Sequence, residues 1–199
     1  MFREFSKHRN AAGNAGPRIV RVGTHALKEG GKTELWQRLS QHRGNHRGGN
    51  HRSSIFRLLV GEAIKAAKQN AEPRSWGLGS DPGKAAAKLA VSPMEIIDGE
   101  RELEVLVSRY ICALPFLWLG IEDEPSPASL RGFVERNSIA LLSSYGQEPV
   151  DSPSETWLGR FSSRERVRQS GLWNNNHVDE RHDPDFLDQF DKLASNVQR

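Results

Sequence analysis

Apolar residues and arginines alternate at Arg18-Ile19-Val20-Arg21-Val22, the period-two pattern of a strand, and the run stops at Gly23. The sequence predicts residues 1–17 as a loop entering that strand and residues 24–32 as a turn or insert. Thr33 is placed to cap a helix over Glu34–Gln41, with Leu35 and Leu39 facing the core. Residues 43–52 read as loop. Ser53-Ser54 cap a second helix over about 54–69, with Ile55, Leu58, Leu59 and Ala63 on its apolar side. Residues 71–83, which include Gly77-x-Gly79, read as turn-rich. A third helix is expected over Glu100–Ala113, stopped by Pro115, and Phe116–Ile121 reads as a buried strand. Ser126-Pro127 signals the start of a fourth helix, running to about Ser143. A short helix within Arg160–Ser170 and a C-terminal helix opened by Asp183-Pro184 complete the pattern.

Few strands among several helices point to an α+β fold: a small central, mainly antiparallel sheet flanked by helices. The 199 residues fit one domain, with a core over about 18–145 and a helical extension over about 146–199. Mean hydropathy is −0.63 and no apolar run reaches membrane-spanning length, which excludes a membrane span as the organising feature. No secretory leader is legible at the N-terminus, and the single cysteine, Cys112, reads as a small buried hydrophobe, so a reducing cytoplasm is the expected compartment. Charge changes the picture more. Residues 1–60 carry 12 Lys and Arg against 3 Asp and Glu, leaving 16 against 22 in the remainder. A basic third on a near-neutral chain is the footprint of a polyanion such as nucleic acid.

Candidate chemistry follows from spacing. Arg38 and His42 lie one helical turn apart, on a different face from Leu35 and Leu39. In the fourth helix, Leu130, Phe133, Val134 and Leu141 form the core stripe, while Glu135 shares a side with Ile139 and Leu142. A carboxylate in line with large apolar residues is either a structural ion pair, with Arg136 or another arginine, or a metal ligand.

Arg21-Val22-Gly23, then Leu35-Trp36-Gln37-Arg38-Leu39-Ser40-Gln41-His42, then Ser53-Ser54-Ile55-Phe56-Arg57 resemble the core of the GIY-YIG nuclease superfamily. That resemblance implies a three-stranded antiparallel sheet flanked by helices. It also implies an arginine on the scissile phosphate, here Arg38, a partner one turn on, here His42, and Gly23 as the glycine ending the second motif. A later helix would supply the glutamate that binds one Mg²⁺ or Mn²⁺, here Glu135. A supporting asparagine would be Asn174, or else Asn137. Arg21 stands where the family has the tyrosine of its second motif, and no Gly-Ile-Tyr run precedes it. Either the first strand lies before residue 1, or His42 or His25 serves as base.

On this reading the chain is a divalent-metal-dependent endonuclease acting on nucleic acid, DNA foremost. Arg43, His46, Arg47, His51, Arg52 and Arg57 would contact the flanking backbone. Two alternatives stand beside it. One is a catalytically inactive nucleic-acid-binding protein of the same fold. The other is a zinc-stabilised binding module using His42, His46 and His51, with His25 nearby.

Overall fold

A computed structural model describes residues 1–9 and 15–197 of the chain. Two strands, β1 (Phe2–Arg9) and β2 (Ala15–Arg21), pair antiparallel, with Phe2 opposite Arg21 and Arg3 opposite Ile19. Seven α-helices follow among the described residues: α1 (Leu35–Arg43), α2 (Ile55–Ala67), α3 (Pro82–Leu89), α4 (Pro93–Ala113), α5 (Leu130–Leu142), α6 (Glu165–Ser170) and α7 (Phe186–Val197). The chain forms two compact units. One comprises Met1–Arg38, Pro115–Trp157 and Arg166–Arg199, and the other Leu39–Leu114 and Leu158–Glu165. None of the described helices is long and apolar enough to cross a membrane.

The expected three-stranded sheet is not formed; the described residues hold a two-stranded hairpin in a mainly helical chain. The predicted strand at 116–121 contributes only an isolated bridge from Phe116 to Phe2. Residues 171–174 cover the other edge of β2 without becoming a strand. The Trp173 N–H donates to the Val20 carbonyl at 2.7 Å, and the Asn174 side chain accepts from Val22 N–H at 3.1 Å and donates to its carbonyl at 2.9 Å. A side-chain amide thus satisfies both backbone groups that a third strand would have paired. Residues 1–17 are correspondingly not a loop throughout, because β1 lies within them and precedes β2 directly.

The first unit packs its core around Val22, Ile139, Leu172 and Val178, with Ile19, Leu142 and Tyr145 against them. α5 starts at Leu130 rather than at Pro127, because Ser129 supplies the cap and accepts from Gly132 N–H at 3.2 Å. The serine–proline start signal is used instead at Ser92-Pro93. There a capping box with Glu95 opens α4 seven residues before the predicted start. α3, within and after the stretch read as turns, is capped by Asp81 with proline at its first turn.

The second unit is built on α2 and α4. Phe56, Leu59, Val60, Ala63 and Ile64 are buried, whereas Ile55, assigned to the core stripe, is exposed. Gly61 lets the Trp76 ring lie on α2, since a Cβ there would sit 2.1 Å from Trp76 Cζ2. Gly61→Ala is therefore expected to destabilise the protein by about 1–3 kcal/mol, read as a lower urea midpoint. Cys112 is exposed rather than buried.

Candidate phosphate and metal site

The apolar cluster of the first unit fixes the site, because each of its four members lies within four residues of a residue of the site in the sequence. Val22 lies between Arg21 and Gly23, Ile139 is one helical turn beyond Glu135, Leu172 precedes Asn174 by two, and Val178 follows His177. Packing of those four side chains brings together segments separated by more than a hundred residues.

Glu135 is half-buried on α5. Burial raises its pKa above the ordinary carboxylate value. The charges of Arg21, His177 and Arg38 and a hydrogen bond from the Thr24 N–H pull it back without cancelling the rise. Arg21 is buried and donates from Nη1 to the Trp173 carbonyl at 2.6 Å. Burial lowers its pKa to about 10, with Glu135 opposing that shift and Arg38 adding to it, so it stays cationic at neutral pH. Arg21, Arg38 and Glu135 thus sense one another electrostatically. Gly23 keeps this group open. It is exposed, and a Cβ on it would lie 4.0 Å from Glu135 Oε1 and 3.9 Å from Arg21 Nε.

The remaining assignments divide. Asn174 holds the end of β2 through Val22, whereas Asn137 donates to the Phe133 carbonyl and accepts from Asp183 N–H, inside its own helix and loop. His25 lies with its Nε2 3.4 Å from Arg131 Nη1, beside the Arg131–Asp123 ion pair at 2.5 Å. Burial and then Arg131 lower its pKa, against the pull of Asp123, so it is a neutral imidazole near pH 7. The ion pair foreseen between Glu135 and Arg136 is not the one formed, since Arg136 Nε pairs with Glu180 at 2.5 Å.

His42, expected beside Arg38 as a catalytic group, belongs to the second unit. It is buried there, its Nδ1 hydrogen-bonded to Ser54 Oγ at 2.7 Å and its ring edge-on to Phe56. Half of the basic stretch is likewise internal. Arg57 is fully buried and ion-paired with Glu104. Arg52 pairs with Glu100 through both oxygens, at 2.6 and 2.7 Å. His51 stacks on Trp76 at 3.8 Å, and its Nε2 accepts from Gly77 N–H, so Nδ1 carries the proton it gives to Glu104 at 2.9 Å. A backbone-contacting role for Arg52, Arg57 and His51 is thereby corrected: they hold the second unit together. His46 and Arg47 are exposed and Arg43 half-buried. Among the described residues no three His, Cys, Asp or Glu side chains gather to hold a metal, and the rings of His42 and His51 are engaged elsewhere, which removes the basis for the zinc module.

His177 was not among the residues assigned to the site from sequence. Its backbone is left-handed (φ 62°), its Nδ1 is 2.8 Å from Glu180 Oε1, and its charge acts on Glu135. The run Asn174-Asn175-Asn176-His177 was the available signal, since Asn and His are the non-glycine residues that most readily take positive φ.

No curated protein and no solved structure matches this chain. A family model described as the GIY-YIG domain matches residues 1–199, a family that implies nuclease activity and a nucleic-acid substrate. With β2 leading into Gly23, an arginine on the following helix and a half-buried glutamate beyond it, the chain belongs to the GIY-YIG family.

Proposed function

We propose that the chain is a divalent-metal-dependent endonuclease that hydrolyses phosphodiester bonds in nucleic acid, with DNA as its substrate. The observation that supports this reading is the grouping of Glu135 with Arg21 and Arg38 beside the side-chain-free edge at Gly23. Two cations against one carboxylate favour an incoming phosphate, and focus it where the low-dielectric wall strengthens the attraction.

The donor set fits a hard ion such as Mg²⁺ or Mn²⁺. Glu135 supplies one hard oxygen, and Gly23 leaves the space over Oε1 open for an ion that keeps most of its waters. When bound, the ion would supply Lewis-acid polarisation of a phosphate oxygen. Arg38 offers the planar fork of its guanidinium to the equatorial oxygens as charge develops on them. Arg21, fixed by the Trp173 carbonyl, adds a second positive charge that acts on Glu135.

Incubation of the purified protein with supercoiled plasmid tests the reading. Nicking is expected with Mg²⁺ or Mn²⁺, none with excess EDTA, and Arg38→Ala should slow it about 10²–10³-fold. Cutting that survives both EDTA and Arg38→Ala would overturn the assignment. Neither described strand carries a tyrosine, which favours one second reading, a binding protein that does not cut. Steeply salt-dependent binding to DNA with no nicking under either metal identifies that case.

A further inference from the structure

We propose that Trp36 and Trp118 form a stacking platform for unpaired bases, so that the DNA this protein takes carries single-stranded nucleotides beside the phosphate site. The inference rests on the nuclease reading above and names its substrate class, a strand with an unpaired arm or end rather than a continuous duplex. The first observation is exposure. Indoles are among the largest apolar groups a chain has to bury, yet Trp36 is 58% exposed and Trp118 61%. The two rings are neighbours, with centroids 6.2 Å apart, and the half-buried Phe116 lies 6.3 Å from Trp36 and 6.2 Å from Trp118. Exposed apolar groups that adjoin one another mark a binding surface, whereas scattered ones do not.

The second observation is rigidity. Trp36 stands in the first turn of α1. Phe116 rests on the buried Phe2, ring centroids 6.2 Å apart, and the next residue donates its N–H to the Met1 carbonyl at 2.9 Å. A helix and a segment fastened to β1 thus present the rings, and little ordering is left to be done on binding.

The third is place. Phe2 pairs with Arg21 across one edge of β1, and Phe116 bridges Phe2 across the other. Three backbones side by side at strand spacing set Phe116 about 10 Å from Arg21. The Cβ position of Gly23 is in turn 3.9 Å from Arg21 Nε and 4.0 Å from Glu135 Oε1. Trp36 precedes Arg38 by two residues of α1, a Cα separation of about 5 Å. All of these residues belong to the first unit.

The chemistry selects the occupant. Flat apolar rings with guanidiniums close by suit a ligand that is flat and apolar on its faces and anionic along its backbone. Within a duplex each base face is covered by its neighbours, so the face offered to an indole is that of an unpaired base. A second copy of the chain suits the patch less well, because a two-fold contact there brings together two copies of the helical turn that carries Arg38.

Binding measured in EDTA, where no cutting occurs, tests the platform. Fluorescence anisotropy compares labelled oligothymidylate with a duplex closed by hairpins at both ends. Wild type is expected to bind the oligothymidylate more tightly. Trp36→Ala and Trp118→Ala should each weaken that binding about 5–100-fold, with closed-duplex binding within two-fold of wild type. The dependence of affinity on salt should keep its slope, since stacking releases no counter-ions. Both side chains are mostly exposed, so the variants should fold, as checked by an unchanged urea midpoint. Trp118→Phe keeps a ring to stack on and should retain more affinity than Trp118→Ala. Equal weakening toward both DNAs, or unchanged binding in both alanine variants, would overturn the platform. A wild type that sediments as a dimer, with Trp118→Ala a monomer, would overturn it in favour of a contact between copies. Plasmid nicking under Mg²⁺ that Arg38→Ala slows, with both alanine variants binding like wild type, removes the platform and leaves the nuclease reading standing. Tryptophan-dependent binding to oligothymidylate without cutting under either metal supports the platform and removes the nuclease.

Discussion

Glu135→Gln is expected to stop cutting and, in the same protein, to raise the melting temperature. The first effect follows from losing the one hard anionic donor of the site, and should amount to at least about 10³-fold. The second follows from linkage. Burial lifts the folded-state pKa of Glu135 above its ordinary 4.5, so between those two values the native state binds more protons than the unfolded chain. Stability therefore falls as pH rises through that window, and at neutral pH the ionised carboxylate lowers the stability of the fold. Glutamine removes that charge, so the variant should melt higher than wild type at pH 7, with the gap closing below about pH 4. Differential scanning calorimetry at the two pH values decides it. A lower melting temperature at pH 7 would mean that Glu135 belongs to a stabilising ion pair with Arg21, and would remove it as a metal ligand.

The buried carboxylate of the second unit should behave in the opposite way. Glu104 accepts from the His51 backbone N–H at 2.7 Å and from His51 Nδ1 at 2.9 Å, and pairs with Arg57 through Nε at 3.1 Å and through Nη2. Arg57 also donates to the carbonyls of His42 and Glu104 and to Ser108 Oγ, all at about 3 Å. Burial alone would raise the Glu104 pKa, but the hydrogen bonds from His51 and Arg57 and the Arg57 charge outweigh it, and the net shift is downward. Its contribution is present above the ordinary glutamate range and is lost as pH falls through the folded-state value. Glu104→Ala leaves Arg57 charged and fully buried without its counter-ion. Breaking such a pair costs about 3–5 kcal/mol, or a fall of about 6–20 °C in melting temperature for a chain of this size. A drop under two degrees would show that the network contributes little. Glu104→Gln should lose less than alanine at pH 7, with its deficit shrinking in acid.

These two glutamates show what the sequence could and could not say. Both sit among apolar residues at helical spacing, and nothing in the local pattern separates a carboxylate saturated by donors from one left accessible. The helical period announced α5, but its core face was misjudged: Val134, Ile139 and Ala140 are buried, whereas Leu130, Phe133 and Leu141 are only half-buried. The family resemblance pointed to Arg38, Gly23 and Glu135, which share one unit. The basic run 43–57 misled, since charge density was read as exposure. Arg52 and Arg57 are matched by Glu100 and Glu104, some fifty residues on, and pairing at that separation leaves no trace in local spacing. The third strand was misplaced for a similar reason. Residues 116–121 have strand composition, yet β2 takes its second partner from Trp173 and from an asparagine side chain, which no periodicity announces.

The way residues 171–174 close the edge of β2 also has a consequence for how the protein is made. The carbonyl that fixes Arg21 and the amide that fixes Val22 each lie 152 residues further along the chain. Contacts of such sequence separation form late. The grouping of Arg21 with its neighbours is therefore completed only after segments far apart in the sequence have met, as a late event of folding.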